Sequence, residues 1–199
     1  MAGTTDLIVI FLGLEIMSVP LYVMAGFNRP SLESKEFKSA FSKLKKKIQE
    51  LETYFDKTAS KANAKTEPKK LGKIVGTLVD SFNDIYTTSM TLGSYISFNV
   101  DTNSHDKVAK RLESEYEQAV VPLRKLGVRF TAWLGRVRPG LKKAIPTNPS
   151  AKAHAFNLME AADQSKYLMP EDLEGLAAEL TLSGGNAFGK LQGTLTSQL

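Results

Sequence analysis

FKSAFSKLKKKIQELETYF, residues 37–55, decides the fold class. Phe37, Phe41, Leu44, Ile48, Leu51 and Phe55 recur at alternating steps of four and three, which lines them up along one side of an α-helix with the lysines opposite. Outward from it, the lysine-rich stretch 56–70 with Pro68 reads as a loop. Leu71, Val75, Leu78, Phe82, Ile85, Leu92 and Ile96 then form a second stripe. DTNSHD at 101–106 supplies turn formers, with Ser104 as the expected N-cap of the next helix. That helix carries a third stripe from Val108 through Leu112, Tyr116, Val120, Leu123, Gly127 and Phe130 to Leu134, with Pro122 as an expected kink. GRVRPG at 135–140 is expected to stop it before a short turn, Leu141–Ile145. Another helix is expected over 151–168, and a shorter one from Pro170 at N1 to Leu180, with Glu171 and Asp172 complementing its dipole. SGG at 183–185 is expected to break the chain before a last helix over 186–199. No segment of useful length alternates with period two. The expectation is an all-α fold of antiparallel helical hairpins packed as a bundle.

Composition bounds the chemistry. An apolar content of 42% with 24% charged residues fits a chain that buries a core, which excludes wholesale disorder. The absence of cysteine removes disulfides, thiolate ligands and a Cys nucleophile together. The two histidines, His105 in SHDKV and His154 in AHAFN, lack the second histidine one turn away that a zinc helix needs. His154 reads as a packed helix residue beside Phe156, and His105 as a decoration of a helix start. SGGNAFGK at 183–190 has glycines and a lysine, but its spacing is wrong for a phosphate loop and no strand precedes it. No residue is assigned a catalytic or metal-binding role. Residues 28–70 hold 11 Lys and 1 Arg against 5 Glu and 1 Asp, a net of +6, so the remainder of this +5 chain is nearly balanced. Without a basic face across the domain, nucleic acid is not an expected partner.

Ahead of the first stripe lies IVIFLGLEIMSVPLYVMAGF, residues 8–27. Residues 7–27 would reach about 32 Å as helix, enough to cross a hydrocarbon core. Twelve Leu, Ile, Val and Phe side chains there contribute about −4 to −7 kcal/mol of insertion energy, and Glu15 costs about 2.5–3.5 against it. A transmembrane helix over 7–27 is the expectation, with a flank to residue 29 and a second region over 30–199. Arg29, Lys35, Lys38, Lys43, Lys45, Lys46 and Lys47 follow the span and no basic residue precedes it. That bias expects a single-pass membrane protein, its amino end outside and residues 28–199 in the cytoplasm. If the anchor is an artefact, the whole chain is expected to be cytoplasmic. The lysine run 45–47 reads mainly as a solvated face, with lipid contact as the lesser alternative.

FLGLEIMSVPLYVMAGFNRPSLESKE, residues 11–36, resembles one transmembrane helix of subunit N of the proton-pumping NADH–quinone oxidoreductase. The resemblance covers residues 1–36 and implies a proton-pathway role for Glu15. One helix offers no second polar partner for a proton, so the acid is expected to be idle in an anchor.

A second resemblance runs over residues 30–199. PSLESKEFKSAF, TLGSYISFNVDTNS, KLGVRFTAWLG, KAHAFNLMEAADQSKYLMPEDLEGLAAEL and SGGNAFGKLQGTLTSQL, in this order, resemble the amino-terminal region of oligoendopeptidase F, a zinc endopeptidase of the thimet type. Phe188 stands where a Trp is common in that family, and Gln192 where a His is common. The resemblance implies helices that roof a channel for short peptides, with the zinc helix far downstream. No catalytic or zinc-binding position of the family falls within these residues, so the chain is expected to be inactive alone and to carry no cofactor. Expected partners are the catalytic half, a second copy of the chain or, through the whole enzyme, short peptides. A helical interaction protein tied to a membrane is the alternative, and a piece of a proton-pumping subunit the remote one. RPSLESKE (29–36) fits both resemblances, as a natural fusion or a misassembled reading frame would.

Overall fold

The computed structural model describes residues 31–103 and 105–196. The chain divides into two units, Met1–Ser39 and Ala40–Leu199. In the first, Ser34 Oγ accepts from the Phe37 amide at 3.1 Å, so a serine caps the start of helix α1, Lys35–Tyr54. Glu36 in its first turn suits the positive end of the helix dipole. The unit boundary at Ser39 lies inside this helix.

The second unit is built on a long antiparallel hairpin, α2 (Pro68–Thr102) and α3 (Lys107–Ala144). Pro68 opens α2 at N1, where its missing N–H costs nothing. Leu71, Val75, Leu78, Phe82, Ile85, Leu92 and Ile96 are all buried, as their spacing requires. The later part of α1 lies alongside: Phe41, Leu44, Ile48, Leu51 and Phe55 are buried, and Lys47 Nζ reaches Asp84 of α2 at 2.6 Å. After α1 the chain widens into a π-helical turn, Phe55–Ala59.

Where the three helices meet, four rings run in sequence. Phe55 meets Trp133 edge-on at 6.3 Å, Trp133 stacks with Phe130 at 5.9 Å, and Phe130 touches Phe82 at 5.2 Å. Arg129 closes this cluster toward solvent, its guanidinium 5.1 Å from the Phe55 ring and 2.5 Å from Asp56 Oδ1.

Beyond α3, a 3-10 turn (Ile145–Thr147) leads to α4 (Pro149–Ala153) and α5 (Ala155–Gln164), and a second 3-10 turn (Ser165–Tyr167) follows. Leu158 and Ala162 bury α5, which packs on α3, and Arg138 bridges to Asp163 at 2.7 Å. Then come α6 (Glu171–Thr181) and α7 (Ala187–Thr196).

Several expectations from the sequence are corrected. Among the described residues the fold is all-α, and no helix is long and apolar enough to cross a membrane, so the expected transmembrane helix is not part of the described fold. The expected span 7–27, with Glu15, lies outside the described residues, and the single-pass placement loses its basis with it. GRVRPG does not stop α3, which runs on to Ala144 with Pro139 inside it. Its glycines serve contact rather than termination. A Cβ on Gly135 would overlap Ser165 Oγ, and one on Gly140 would stand 2.8 Å from the Ala64 carbonyl. The N-cap of α3 is Asp106, not Ser104: Asp106 Oδ1 accepts from the Val108 and Ala109 amides at 2.8 and 3.1 Å. The helix expected over 151–168 is divided at His154, because Asn148 starts an earlier turn by accepting from the Ala151 amide at 3.0 Å. SGG does not break the chain either. Leu182–Asn186 is a π-helical turn and no described glycine has a positive φ, so helix continues from Glu171 to Thr196.

Candidate functional site

The charged features of the second unit converge on the outer side of α3. Glu113 and Glu117 are one turn apart there, off the buried line of Leu112, Val120 and Leu123. Lys190 of α7 reaches both, with Nζ 3.2 Å from Glu113 Oε2 and 2.7 Å from Glu117 Oε2. Asn186 Nδ2 donates to Glu117 Oε1 at 3.3 Å. These groups line an open groove of about 630 Å³ that Asp101 and Lys110 also border. Two turns further along α3, Lys125 Nζ meets Glu179 Oε1 of α6 at 2.5 Å beside a second groove of about 540 Å³.

The electrostatics here are those of a fastening. Partial burial alone would lower the Lys190 pKa, but the hydrogen bond it donates to Glu117 and the charge of Glu113 outweigh that and hold the ammonium above its ordinary value. Both carboxylates share that one ammonium. At the far end of α3, the hydrogen bond from Arg138 holds Asp163 below its ordinary carboxylate range, and Asp163 raises Arg138 in turn.

The segment from α6 to α7 lies near the surface. None of its described side chains is buried. Leu173 and Leu176 are 48% and 51% exposed, and Phe188, Leu191 and Leu195 are 73%, 54% and 57% exposed. Spacings of three and seven put each group on one helix face.

The residues singled out from the sequence do not gather here. Glu15 and Arg29 lie outside the described residues. Lys35, Lys38, Lys43, Lys45 and Lys46 are exposed along α1. Lys45 lies over the Phe41 ring at 4.4 Å, Lys46 pairs with Glu50 at 3.6 Å, and Lys47 turns to Asp84. His154 Nε2 stands 3.3 Å from Asn83 Nδ2 at the α4–α5 break, while Phe156 is 78% exposed. The exposed His105 donates its backbone N–H to Asn103 Oδ1 at 3.2 Å. The zinc that the peptidase resemblance implies does not fit these residues. Among those described, no three His, Cys, Asp or Glu side chains are grouped to hold a metal ion. Sequence reasoning missed Glu113, Glu117, Lys125, Glu179 and Lys190. Only the one-turn spacing of Glu113 and Glu117 was visible locally; their partner lies 73 residues beyond Glu117.

No family model matches the chain. A 36-residue stretch is 67% identical to NADH-quinone oxidoreductase subunit N of Trichlorobacter lovleyi, covering 18% of this chain and 7% of that protein. No solved structure matches.

Proposed function

We propose that residues 30–199 form the helical roof of an oligoendopeptidase-type zinc peptidase, which shapes a channel for short peptides while a separate zinc-bearing segment cleaves them. The observation that carries this reading is the exposed apolar face of α6 and α7. KAHAFNLMEAADQSKYLMPEDLEGLAAEL and SGGNAFGKLQGTLTSQL, two of the five peptidase-like phrases, cover those helices. Leu173, Leu176, Phe188, Leu191 and Leu195 are 48–73% exposed along that face. Rows of exposed apolar side chains on a helix face mark a surface that another piece of protein covers. The 199 residues contain no His-Glu-x-x-His, so the chain contributes shape and contact, and the metal chemistry belongs to the covering segment.

The test mixes the full chain with the zinc-bearing region of an oligoendopeptidase and follows a quenched short peptide. Cleavage that needs both pieces and zinc supports the roof. Continued silence, with the chain forming a stable homodimer, supports a self-associating helical scaffold instead. The 36-residue match favours a different reading, a protein of the subunit N kind. That reading leaves the hairpin, α6 and α7 without a role, and zinc-dependent complementation would remove it.

A further inference from the structure

The polar groups of α6 and α7 do a different job from their apolar face. Elements earlier in the unit are held by burial: Leu158 and Ala162 seat α5, and Phe55 seats the turn after α1. From Glu171 to Thr196 no described side chain is buried, and two sets of ion pairs with the Asn186–Glu117 hydrogen bond tie the segment to α3. Lys125–Glu179 fastens α6, and Lys190 with Glu113 and Glu117 fastens α7. The π-helical turn between them keeps the segment one continuous helical piece.

We propose that residues 171–196 form an electrostatic strap, latched to α3 by these ion pairs, which swings off the hairpin as a unit when the pairs are screened. The groove of about 630 Å³ beside Glu117 and Lys190 is open, so salt reaches the latch. Lys125 and Glu179 are exposed and Lys190 is 36% exposed over half-buried glutamates, so salt weakens the first pair most and the others in part, as the Debye length shrinks from about 10 Å at 0.1 M to about 3 Å at 1 M. The hairpin has no such dependence, because Leu71, Leu78, Leu123, Trp133 and Leu141 are fully buried or nearly so. The strap does not depend on the peptidase reading; it follows from how the segment is attached.

Hydrogen exchange on the full chain, read by mass spectrometry in low and high NaCl, tests it. From roughly 0.05 M to about 1 M salt, protection over 171–196 should fall about tenfold while protection over 68–144 holds. Glu113→Gln and Glu117→Gln combined with Glu179→Gln should show the high-salt pattern already in low salt. Lys190→Gln with Lys125→Gln should do the same from the other side, and the protection of 68–144 reports whether each variant is folded. Protection of 171–196 that ignores both salt and substitution overturns the strap. So does a loss shared equally by 68–144, which would make the segment part of one cooperative unit.

Discussion

The indole N–H of Trp133 donates to the backbone carbonyl of Ala62 at 3.2 Å, joining the middle of α3 to the loop after α1. Trp133 is fully buried and Ala62 is half-buried, so loss of the bond leaves a gap and a carbonyl partly shielded from water. Trp133→Phe should lower the unfolding free energy by about 1–3 kcal/mol, the sum of a lost buried bond and a partial cavity. A urea titration followed by circular dichroism checks it; an unchanged midpoint would mean that the loop is held by something else.

Tyr116 makes the corresponding link at the other end of the hairpin. Its hydroxyl lies 2.7 Å from the Ser89 carbonyl and 2.8 Å from Ser89 Oγ, and Ser89 is buried. Tyr116→Phe should cost about 1–3 kcal/mol, because a buried hydroxyl and carbonyl lose their partner together. Thermal unfolding of the variant beside the parent measures it.

The bridge between Arg138 and Asp163 sets a dependence on acid. Because the folded-state pKa of Asp163 is depressed, its contribution is complete above the ordinary aspartate value of about 3.9 and is lost as pH falls through the folded value. Parent and Arg138→Gln should therefore differ in urea midpoint near neutral pH, and the difference should vanish in strong acid. A gap that stays constant down to acid would show that the substitution acts through packing.

Lys190 has the opposite sign. Its folded-state pKa is raised, so its contribution is complete below the ordinary lysine value of about 10.4 and is lost as pH climbs through the folded value. The chain has no cysteine, so spin labels at Ser114→Cys and Gln192→Cys are unambiguous. Their distance distribution should be narrow at neutral pH and broaden above about pH 10.4. A narrow distribution at all pH values would remove Lys190 as the fastener.

The exposed apolar row should be free of folding cost. Leu173→Asp and Leu191→Asp are expected to change stability by less than about 0.5 kcal/mol, whereas Leu123→Ala in the core should cost about 2–5. The same two aspartates should abolish complementation with a zinc-bearing segment. Retained complementation would place the docking surface elsewhere.

The helices were legible where apolar spacing is long and regular. The stripe from Phe41 to Phe55 and the one from Leu71 to Ile96 are inside, as periodicity demands. The stripe of α3 was read only to Leu134, and Val137, Leu141 and Ala144 were missed because glycine and proline at 135–140 outweighed the pattern. Those residues terminate helices only when nothing packs on them; here Ser165 and Ala64 approach so closely that a side chain would not fit at Gly135 or Gly140. At 101–106 the chain offers Ser104 and Asp106 as caps, and local sequence does not decide which carboxylate or hydroxyl meets two amides. The latch was hidden for a different reason. A lysine at 190 and glutamates at 113 and 117 look like ordinary solvated charge until the fold brings α7 across α3. The membrane expectation drew its strength from residues outside those described and finds no spanning helix among the others.

Trp133 is the sole tryptophan of the chain, shut between Phe55 and Phe130 at the centre of the three-helix junction. Tryptophan emission, excited at a wavelength that spares the six tyrosines, therefore reports on that junction. Fluorescence that stays blue-shifted while the strap moves, and reddens only when the hairpin melts, gives this protein a built-in way of telling local opening from global collapse.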